Sequence, residues 1–320
     1  LVQPVIVGFA LSKPVAVARG GFLLLAIATL LTGSAARLSA QELEPRAFSP
    51  VPVSVNFAGV GYGYSFGNVL LDPSIPLENG TGTVHSLVGA YVRTFSFFGM
   101  SAKADALVPF AFGDWKGTLA GQDTTRSATG FGDPSVRLVV NFVGAPALEI
   151  PRFMTYRPKT IVGASLRVVA PLGQYDNMRL INLGTNRWTF IPRIGASRRF
   201  GHWSLEGAAS VWLFTTNTDF FGGTLAQDPL WTIQANVSYT FDGGAWVALD
   251  GGWGSGARAK VDGVPGSTRQ ENARFGAVAA YPLTRRAALK LAWTSGLSTR
   301  LGADFDSFIL VYQYRWGGGL

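Results

Sequence analysis

The sequence predicts an all-β fold, an antiparallel up-and-down transmembrane β-barrel of about 12 strands. Three observations predict it. The 320 residues are 48% hydrophobic and only 14% charged and include 40 glycines, which is unusual for a soluble enzyme. Segments with a period of two residues recur along the chain between turn-rich stretches. No segment after Ala40 approaches the roughly 20 consecutive apolar residues of a transmembrane helix, so a membrane-bound form must cross the bilayer with strands.

The stretch Trp231 to Phe241, WTIQANVSYTF, shows the alternation most clearly. Its odd positions are apolar and its even positions are polar, and in a strand these two sets point to opposite faces. Aromatic residues stand at both ends of the apolar set, as in a strand that crosses a bilayer between two aromatic girdles. The stretch 130–142, GFGDPSVRLVVNF, alternates in the same way.

Strands of this kind are predicted at 51–66, 83–97, 100–114, 131–143, 159–172, 189–200, 203–216, 231–241, 245–256, 271–282, 287–299 and 304–316. Tight turns are predicted at 98–99, 201–202, 242–244 and 284–286, and longer polar loops at 67–82, 116–130, 173–188, 217–230 and 257–270. An even strand number, with short turns at one end and long loops at the other, is typical of an outer-membrane barrel with periplasmic N- and C-termini. The connection 144–158 is long for a periplasmic turn.

The N-terminal region has the features of a secretory signal peptide. Arg19 precedes the apolar run Gly21 to Leu31, and small residues follow it up to Ala40. We therefore expect a signal peptide at 1–40, a short periplasmic segment at 41–50, the barrel at 51–316 and a tail at 317–320. This order predicts the outer membrane of a Gram-negative-type bacterium. The expected partners are outer-membrane lipids and the barrel assembly machinery, which reads a C-terminal hydrophobic residue, here Trp316 or Leu320.

The charge balance and residue content argue against several classes of function. The formal charge is +8, and Lys13, Arg19 and Arg37 lie in the predicted signal, which leaves +5 on the mature chain. The basic residues are scattered singly, which argues against nucleic-acid binding. The absence of cysteine excludes a disulfide framework, and no spacing typical of metal ligands occurs, so we expect no metal and no cofactor.

Polar and charged residues occupy the inward positions of the predicted strands. The set predicted to line the pore is Arg93, Lys103, Asp105, Arg137, Arg167, Arg193, Glu206, Asn236, Asp250, Arg274 and Lys290. Two interpretations remain open. A salt-bridge lattice would plug this narrow lumen, whereas a water-filled lumen with a basic excess would favour anionic or aromatic solutes.

Two loops contain more apolar residues than a solvated loop needs. We expect them to fold into the mouth of the barrel and form a constriction, through Tyr175, Met178, Leu180 and Ile181 of the first loop and Phe220 and Phe221 of the second. The alternative is that these side chains only pack loop against loop.

Two stretches are similar to a known family: GFGDPSVRLVVNFVGAPAL (130–148) and RLINLGTNRWTFIPRIGASRRFG (179–201). The second is the more specific, because it places NLGTNRW (182–188) at the mouth of a strand that continues with a Pro and a Gly. The chain resembles, over roughly 50–316, the outer-membrane transporter family named after the meta-pathway of phenol degradation. The resemblance implies a barrel that admits aromatic or other hydrophobic small molecules, and it carries over no catalytic residue.

Other classes fit the residues less well. Gly63 to Gly67 matches the G-x-S-x-G pattern around Ser65, but this motif works at a strand-to-helix turn and no helix follows it. His85 and His202 are not spaced like the partner of a lipase serine. A secreted β-sandwich would not need aromatic residues at strand ends. The sequence therefore predicts a non-enzymatic channel for passive uptake of small solutes. The alternatives are a structural barrel with a plugged lumen and, less favoured, a lipase-type enzyme.

Overall fold

The computed structural model describes residues 43–70, 77–119 and 121–319, so the predicted signal peptide, 1–40, lies outside the described residues. The wall strands are β1 (Val55–Leu70), β2 (Leu77–Phe97), β3 (Met100–Leu119), β4 (Gln122–Phe131), β5 (Ser135–Pro146), β6 (Thr160–Val169), β7 (Thr189–Phe200), β8 (Trp203–Phe214), β11 (Leu230–Thr240), β12 (Trp246–Gly256), β15 (Gln270–Pro282), β16 (Ala287–Thr299) and β17 (Gly302–Gly317). A separate four-stranded sheet contains β9 (Asn217–Phe220), β10 (Gly223–Gln227), β13 (Ala259–Val261) and β14 (Val264–Pro265).

The wall closes on itself. β1 pairs antiparallel with both β2 and β17, and β2 pairs with β3, so the wall sheet has no free edge between its first and last strands. β4 and β5 both pair with β3, along residues 110–119 and 100–107 respectively. They form one wall strand interrupted at 132–134, where Pro134 has no N–H to donate. The prediction of an antiparallel barrel with 12 strands is therefore confirmed.

The two faces of the wall differ as the alternation predicts. In β11, Trp231 and Ile233 are 63% and 57% exposed, whereas Asn236 on the other face is 4% exposed. Exposed aromatic residues stand at both ends of the outer face, with Trp188 and Trp231 near one end and Trp203 and Trp316 near the other. An apolar outer face with aromatic girdles lets a closed barrel reside in lipid while its polar residues face inward.

The two ends of the barrel are unequal. At the turn end, tight turns join the strands at 98–99, 201–202, 241–245 and 283–286, and β1 begins beside the end of β17. The connection 147–159, also at this end, contains the helix α1 (Ile150–Thr155). At the opposite, loop end, β2 and β3 run for 21 and 20 residues, beyond the roughly 9–11 that cross a bilayer. Among the described residues no helix is both long enough and apolar enough to cross a membrane.

Residues 43–54, which we call the lumen segment, lie inside the barrel. The N–H of Val53 donates to the Leu148 carbonyl (2.9 Å) and that of Ser54 to the Thr94 carbonyl (3.0 Å) at the turn end. From there the segment follows the inner wall, and Phe48 is only 1% exposed. The sequence predicts a short periplasmic segment at 41–50. In the structure, residues 43–50 lie along the inner wall, where inward side chains pair with the Glu44 carboxylate and with backbone groups of the segment.

Candidate functional site in the barrel lumen

Ten of the eleven predicted lining residues point into the lumen. Residues directly opposite each other on paired strands share a face. Arg137 lies opposite both Asp105 and Arg167, and Asn236 lies opposite both Glu206 and Asp250. The inward residues of the set are Lys103, Asp105, Arg137, Arg167, Arg193, Glu206, Asn236, Asp250, Arg274 and Lys290.

Arg93 is the exception, and the prediction for this residue is wrong. It lies opposite Asn56, which is in turn opposite Trp316 on the outer face. The Arg93 guanidinium donates from Nη1 to Asn56 Oδ1 (2.8 Å), which also accepts from the hydroxyl of Tyr91. Because side chains alternate with a period of two, Arg93 must share the face of Tyr91, which is 44% exposed on the lipid side.

A carboxylate from the lumen segment sits among the inward arginines. Glu44 accepts two hydrogen bonds from Arg137, one from Nη1 and one from Nη2 at 2.9 Å. Arg193 Nη1 lies 3.9 Å from the same carboxylate. Arg137 also donates from Nε to Asp105 Oδ2 (2.8 Å). Arg137 therefore bridges the wall and the lumen segment through a fork geometry that matches a carboxylate.

The ionisation of Glu44 reflects this surrounding. Burial by itself would raise the pKa of the Glu44 carboxyl. The positive charges of Arg137, Lys103 and Arg167, with the hydrogen bonds from Arg137, outweigh burial and hold the pKa well below its ordinary value. Glu44 is therefore a carboxylate at neutral pH, and its charge is part of what binds the segment.

The backbone of the lumen segment is held by other inward residues. Glu206 accepts from the N–H groups of Ala47 (2.9 Å) and Phe48 (3.2 Å). Lys103 Nζ donates to the Ala47 carbonyl (2.8 Å), and Asn141 Nδ2 donates to the Phe48 carbonyl (3.1 Å). Buried backbone groups need such partners. Several side chains that the sequence assigns to pore lining thus bind the chain's own N-terminal segment.

Glycines on the inner face make room for the apolar side chains of this segment. Gly163 and Gly195 are opposite each other on β6 and β7, and the Phe48 ring lies over both. A Cβ on Gly163 would lie 2.6 Å from Phe48 Cδ1, and one on Gly195 would overlap the same ring. Leu43 packs in the same way against Gly252, where a Cβ would lie 2.9 Å from Leu43 Cδ2. These close approaches explain why glycine occupies inward strand positions.

A recess remains beside the segment. Its empty volume is about 540 Å³, part of which is open to solvent. It is lined by Leu43, Arg137, Ser165, Arg167, Ile191, Arg193, Ala208, Ser210, Trp212, Thr232, Ile233, Gln234 and Gly252. Three guanidinium groups, hydroxyl groups and one indole therefore face a common space, and this combination suits an anion with an apolar part.

Arg187 lies towards the loop end, just before β7, and the sequence analysis did not single it out as a site residue. Its guanidinium stacks over the Phe214 ring (4.5 Å to the centroid) and donates to Gln227. Its Nε and Nη1 atoms are buried and have no hydrogen-bond partner within the described residues. Burial lowers the pKa of Arg187 to about 10, against the opposing charge of Asp133. Arg187 has an odd number, as do the inward residues Ile191 and Arg193 of β7, and this alternation could have identified it from the sequence.

The loop 170–188 folds towards the lumen at the loop end. Ile181 and Leu183 pack against a buried apolar cluster of inward residues, namely Val69, Val84, Ala111, Trp115, Ala303 and Phe305. Asp133 anchors the loop, because its carboxylate accepts from the N–H groups of Gly173 (2.9 Å) and Thr185 (2.8 Å) and from the Thr185 hydroxyl (2.7 Å).

The other residues of the predicted constriction differ in their contacts: some join the two loops and others are exposed. The Tyr175 hydroxyl donates to the Asp219 carbonyl (2.9 Å), which joins the two loops. Phe220 and Phe221 stack edge to face, with ring centroids 4.9 Å apart. Met178, Leu180 and Phe221 are 62%, 39% and 44% exposed. Loop-on-loop packing therefore accounts for Tyr175, whereas Ile181 is the residue of the predicted set that packs against the inner wall.

The residues of the enzyme alternative do not come together. Ser65 is on the inner face of β1, and His85 is on the outer face of β2, where its ring stacks on Phe112 (4.7 Å between centroids). The Tyr62 hydroxyl and His85 Nδ1 are 2.7 Å apart on the same outer face. Within the described ranges, no group of three or more His, Asp or Glu side chains could hold a metal ion.

The fold is similar to that of solved outer-membrane proteins. The crystal structure of an outer-membrane channel from Pseudomonas putida F1 aligns with a TM-score of 0.72 and 19% sequence identity, covering 86% of this chain and all of that one. The β-domain of the Bordetella autotransporter Brka aligns with a TM-score of 0.49 and 14% identity, covering 82% and 100% of the two chains. The chain matches none of the curated proteins with which it was compared.

A family model covers most of the barrel. It is described as "Putative MetA-pathway of phenol degradation" and matches residues 57–307. The match includes both stretches on which the resemblance in the sequence rests, and it extends from β1 into β17. The chain belongs to the MetA-pathway phenol-degradation family, with the fold of an outer-membrane channel.

Proposed function

We propose that the protein is an outer-membrane channel for passive uptake of small solutes, including aromatic and hydrophobic compounds. The observation that carries the proposal is the recess of about 540 Å³ inside a closed barrel, lined by Arg137, Arg167 and Arg193 together with Trp212 and hydroxyl side chains. Solutes would cross by diffusion, selected by the width and charge of the lumen. The proposal contains no catalytic step.

The inward charged set supplies the basis for selection. Guanidinium groups pair with carboxylates and stack on aromatic rings, and Arg187 over Phe214 presents both chemistries near the mouth. The family description refers to phenol degradation, which suits solutes that contain a ring. We infer that aromatic solutes pass Arg187 first and then reach the recess.

The proposed location is the outer membrane of a Gram-negative-type bacterium, after cleavage of the signal at 1–40. The turn end would face the periplasm and the loop end the exterior. The barrel assembly machinery would act on the C-terminal strand, whose outer face ends at Trp316. Outer-membrane lipids would contact the apolar belt, and nucleic acid is not among the proposed partners.

A structural barrel with a plugged lumen is the second candidate. One observation favours it: the lumen segment places Phe48 and Glu44 across the space that a solute would use, and both are held by wall residues. In that case the inward charges would serve to bind the segment and not to select solutes.

Single-channel conductance of the refolded mature protein in a planar bilayer separates the two candidates. We expect discrete openings and a reversal potential in a salt gradient that indicates anion preference. Arg167→Ala should move the reversal potential towards zero, because Arg167 faces the lumen. Arg93→Ala is the matched control and should leave it unchanged, since Arg93 lies on the outer face. A folded barrel that never conducts, even without residues 43–50, would support the structural role.

A further inference from the structure

The chain's own occupant of the recess has a defined chemistry. Leu43 and Glu44 are adjacent, and they present an apolar side chain and a carboxylate to the same part of the lumen. Leu43 fills the space over Gly252 and Gly276. Glu44 takes both donors of the Arg137 fork. Together the two side chains have the features of a small organic acid with an apolar body.

Several cationic side chains surround the Glu44 carboxylate. Arg137, Lys103 and Arg167 all stabilise the negative charge of Glu44, and Arg193 lies 3.9 Å from its carboxylate. Arg137 also contacts the carboxylate of Asp105. The recess beside the segment is also lined by Ser165, Ser210 and Thr232. The Ser210 and Thr232 hydroxyls hydrogen-bond to each other (2.6 Å), so one proton of this pair is available as a donor for an anion.

We propose that the recess is a binding site for organic monocarboxylates with an apolar body, and that such an acid takes the place of Glu44 on Arg137 and releases the lumen segment from the wall. This inference rests on the proposed channel function and names its solute class. The carboxylate of the solute pairs with the Arg137 guanidinium in place of Glu44, and the apolar body of the solute lies against Ile191 and Trp212. The arrival of the solute thereby opens its own path.

The apparent affinity of the acid for the site is low, and a low affinity suits a channel. Glu44 competes from within the same molecule, at an effective concentration on the order of millimolar, so a free acid must be present at a comparable concentration. A solute that binds only at such concentrations also leaves readily, which conduction requires. Solutes without a carboxylate have no means of displacing Glu44.

Displacement of the segment can be followed at a single cysteine, because the natural chain has none. Ala47 is 3% exposed beneath its contacts with Glu206 and Lys103. The experiment measures the rate at which a membrane-impermeant maleimide labels Ala47→Cys in the refolded mature protein. The probes are benzoate, and benzyl alcohol as an uncharged compound of similar size, each at about 1–50 mM.

We expect benzoate to raise the labelling rate severalfold and benzyl alcohol to leave it unchanged. Adding Glu44→Gln should raise the rate without any solute, and direct titration should show benzoate binding roughly tenfold or more tightly, because the internal competitor is lost. Glu149→Gln, an exposed acidic residue ahead of α1, is the matched control and should change neither result.

Two results would overturn the inference while the channel function stands. One is benzoate permeation with an unchanged labelling rate. The other is equal benzoate affinity in the protein with Glu44 and in the Glu44→Gln variant. Conductance with and without benzoate is measured on the same preparations, so a channel that never opens, even with benzoate, is recognised as failure of the proposed function instead.

Discussion

At the scale of residues, a few side chains of the lumen segment decide what the lumen holds. Phe48 reaches the inner wall because Gly163 and Gly195 leave a space, and the guanidinium of Arg193 lies 5.8 Å from the centre of its ring. Glu44 is held at the wall because Arg137 donates hydrogen bonds from Nη1 and Nη2 to its carboxylate. Each contact joins residues about a hundred positions apart or more in the chain, so changes at either partner should move the same segment.

Acid should release the segment through Glu44. The docked state lowers the Glu44 pKa, so the binding energy from its charge is complete above the ordinary value of 4.5 and is lost as the pH falls through the lower value. The charged groups near Glu44 include Arg137, Lys103, Arg167 and Arg193, and the carboxyl groups of Asp105 and Glu206. We expect no release through Glu44 between about pH 7 and about pH 5, and a rise in conductance below this range as Glu44 becomes protonated.

The Glu44→Gln variant is the control for this titration. It should conduct more than the natural protein at neutral pH and should show little further rise in acid. A rise of equal size in the variant would assign the acid effect to another carboxyl group, such as that of Asp105 or Glu206.

The space that Gly163 and Gly195 leave for the Phe48 ring can be tested by adding one methyl group. Gly195→Ala should displace the Phe48 ring, since the added Cβ overlaps it, and the segment should then label faster at Ala47→Cys. Gly207→Ala on the neighbouring strand is the control, because its nearest atom would be the Gln234 carbonyl at 3.9 Å, an ordinary contact. If both alanines give the same labelling rate and conductance, the glycine space does not hold the segment.

At the scale of elements, the wall and the loops obey different rules. Strand faces follow from local alternation, and β11 has the faces that its sequence predicts. Arg93 shows how this logic fails, because a shift of one residue moves a side chain to the opposite face. In β2 the odd-numbered residues Leu87 and Tyr91 are apolar and lie on the outer face. Arg93 is also odd-numbered, so the alternation within β2 places it on the outer face.

The loop 170–188 depends on one carboxylate at the interruption between β4 and β5. Asp133→Ala removes three hydrogen bonds to a charged acceptor, and we expect a loss of roughly 2 kcal/mol or more in the docking of the loop. Limited proteolysis should then cut within 173–185 faster, and openings should become noisier, while the barrel stays folded.

Asp123→Ala is a matched control for the loop. Asp123 accepts from the Thr118 hydroxyl (3.0 Å) in the exposed β3–β4 hairpin and does not contact the loop 170–188 through that bond. Equal protease sensitivity in the two variants would show that Asp133 is not the anchor.

At the scale of the whole molecule, the barrel has a direction. The tight turns, the start of β1 and the end of β17 lie at one end, and the small sheet of β9, β10, β13 and β14 lies in the connections of the other. The proposed orientation places that sheet outside the cell. Orientation matters to the proposed function, because solutes would then meet Arg187 before they meet Glu44.

Cysteine labelling in intact cells tests the orientation. Val264→Cys at the loop end, where the natural side chain is 69% exposed, should react with an impermeant maleimide. Asp242→Cys at the turn end, where the natural side chain is 96% exposed, should react only after the outer membrane is opened. The reverse pattern would falsify the proposed orientation.

Removal of residues 43–50 tests the role of the lumen segment as a whole. The wall strands begin at Val55 and pair with one another without these residues, so we expect the barrel to fold. Conductance should increase severalfold and the response to benzoate should weaken, because nothing remains to be displaced. Unchanged conductance would mean that the segment does not limit the path.

The sequence by itself determined the class of fold, the strand faces and the unequal ends, because these follow from a period of two residues and from local turn chemistry. It also placed ten of the eleven predicted lining residues on the inner face. Only the tertiary structure decided that residues 43–54 occupy the lumen, that Glu44 meets Arg137, and that Asp133 holds the loop 170–188. These contacts join distant parts of the chain, and no local pattern specifies them, since they exist only when the closed wall brings their partners together.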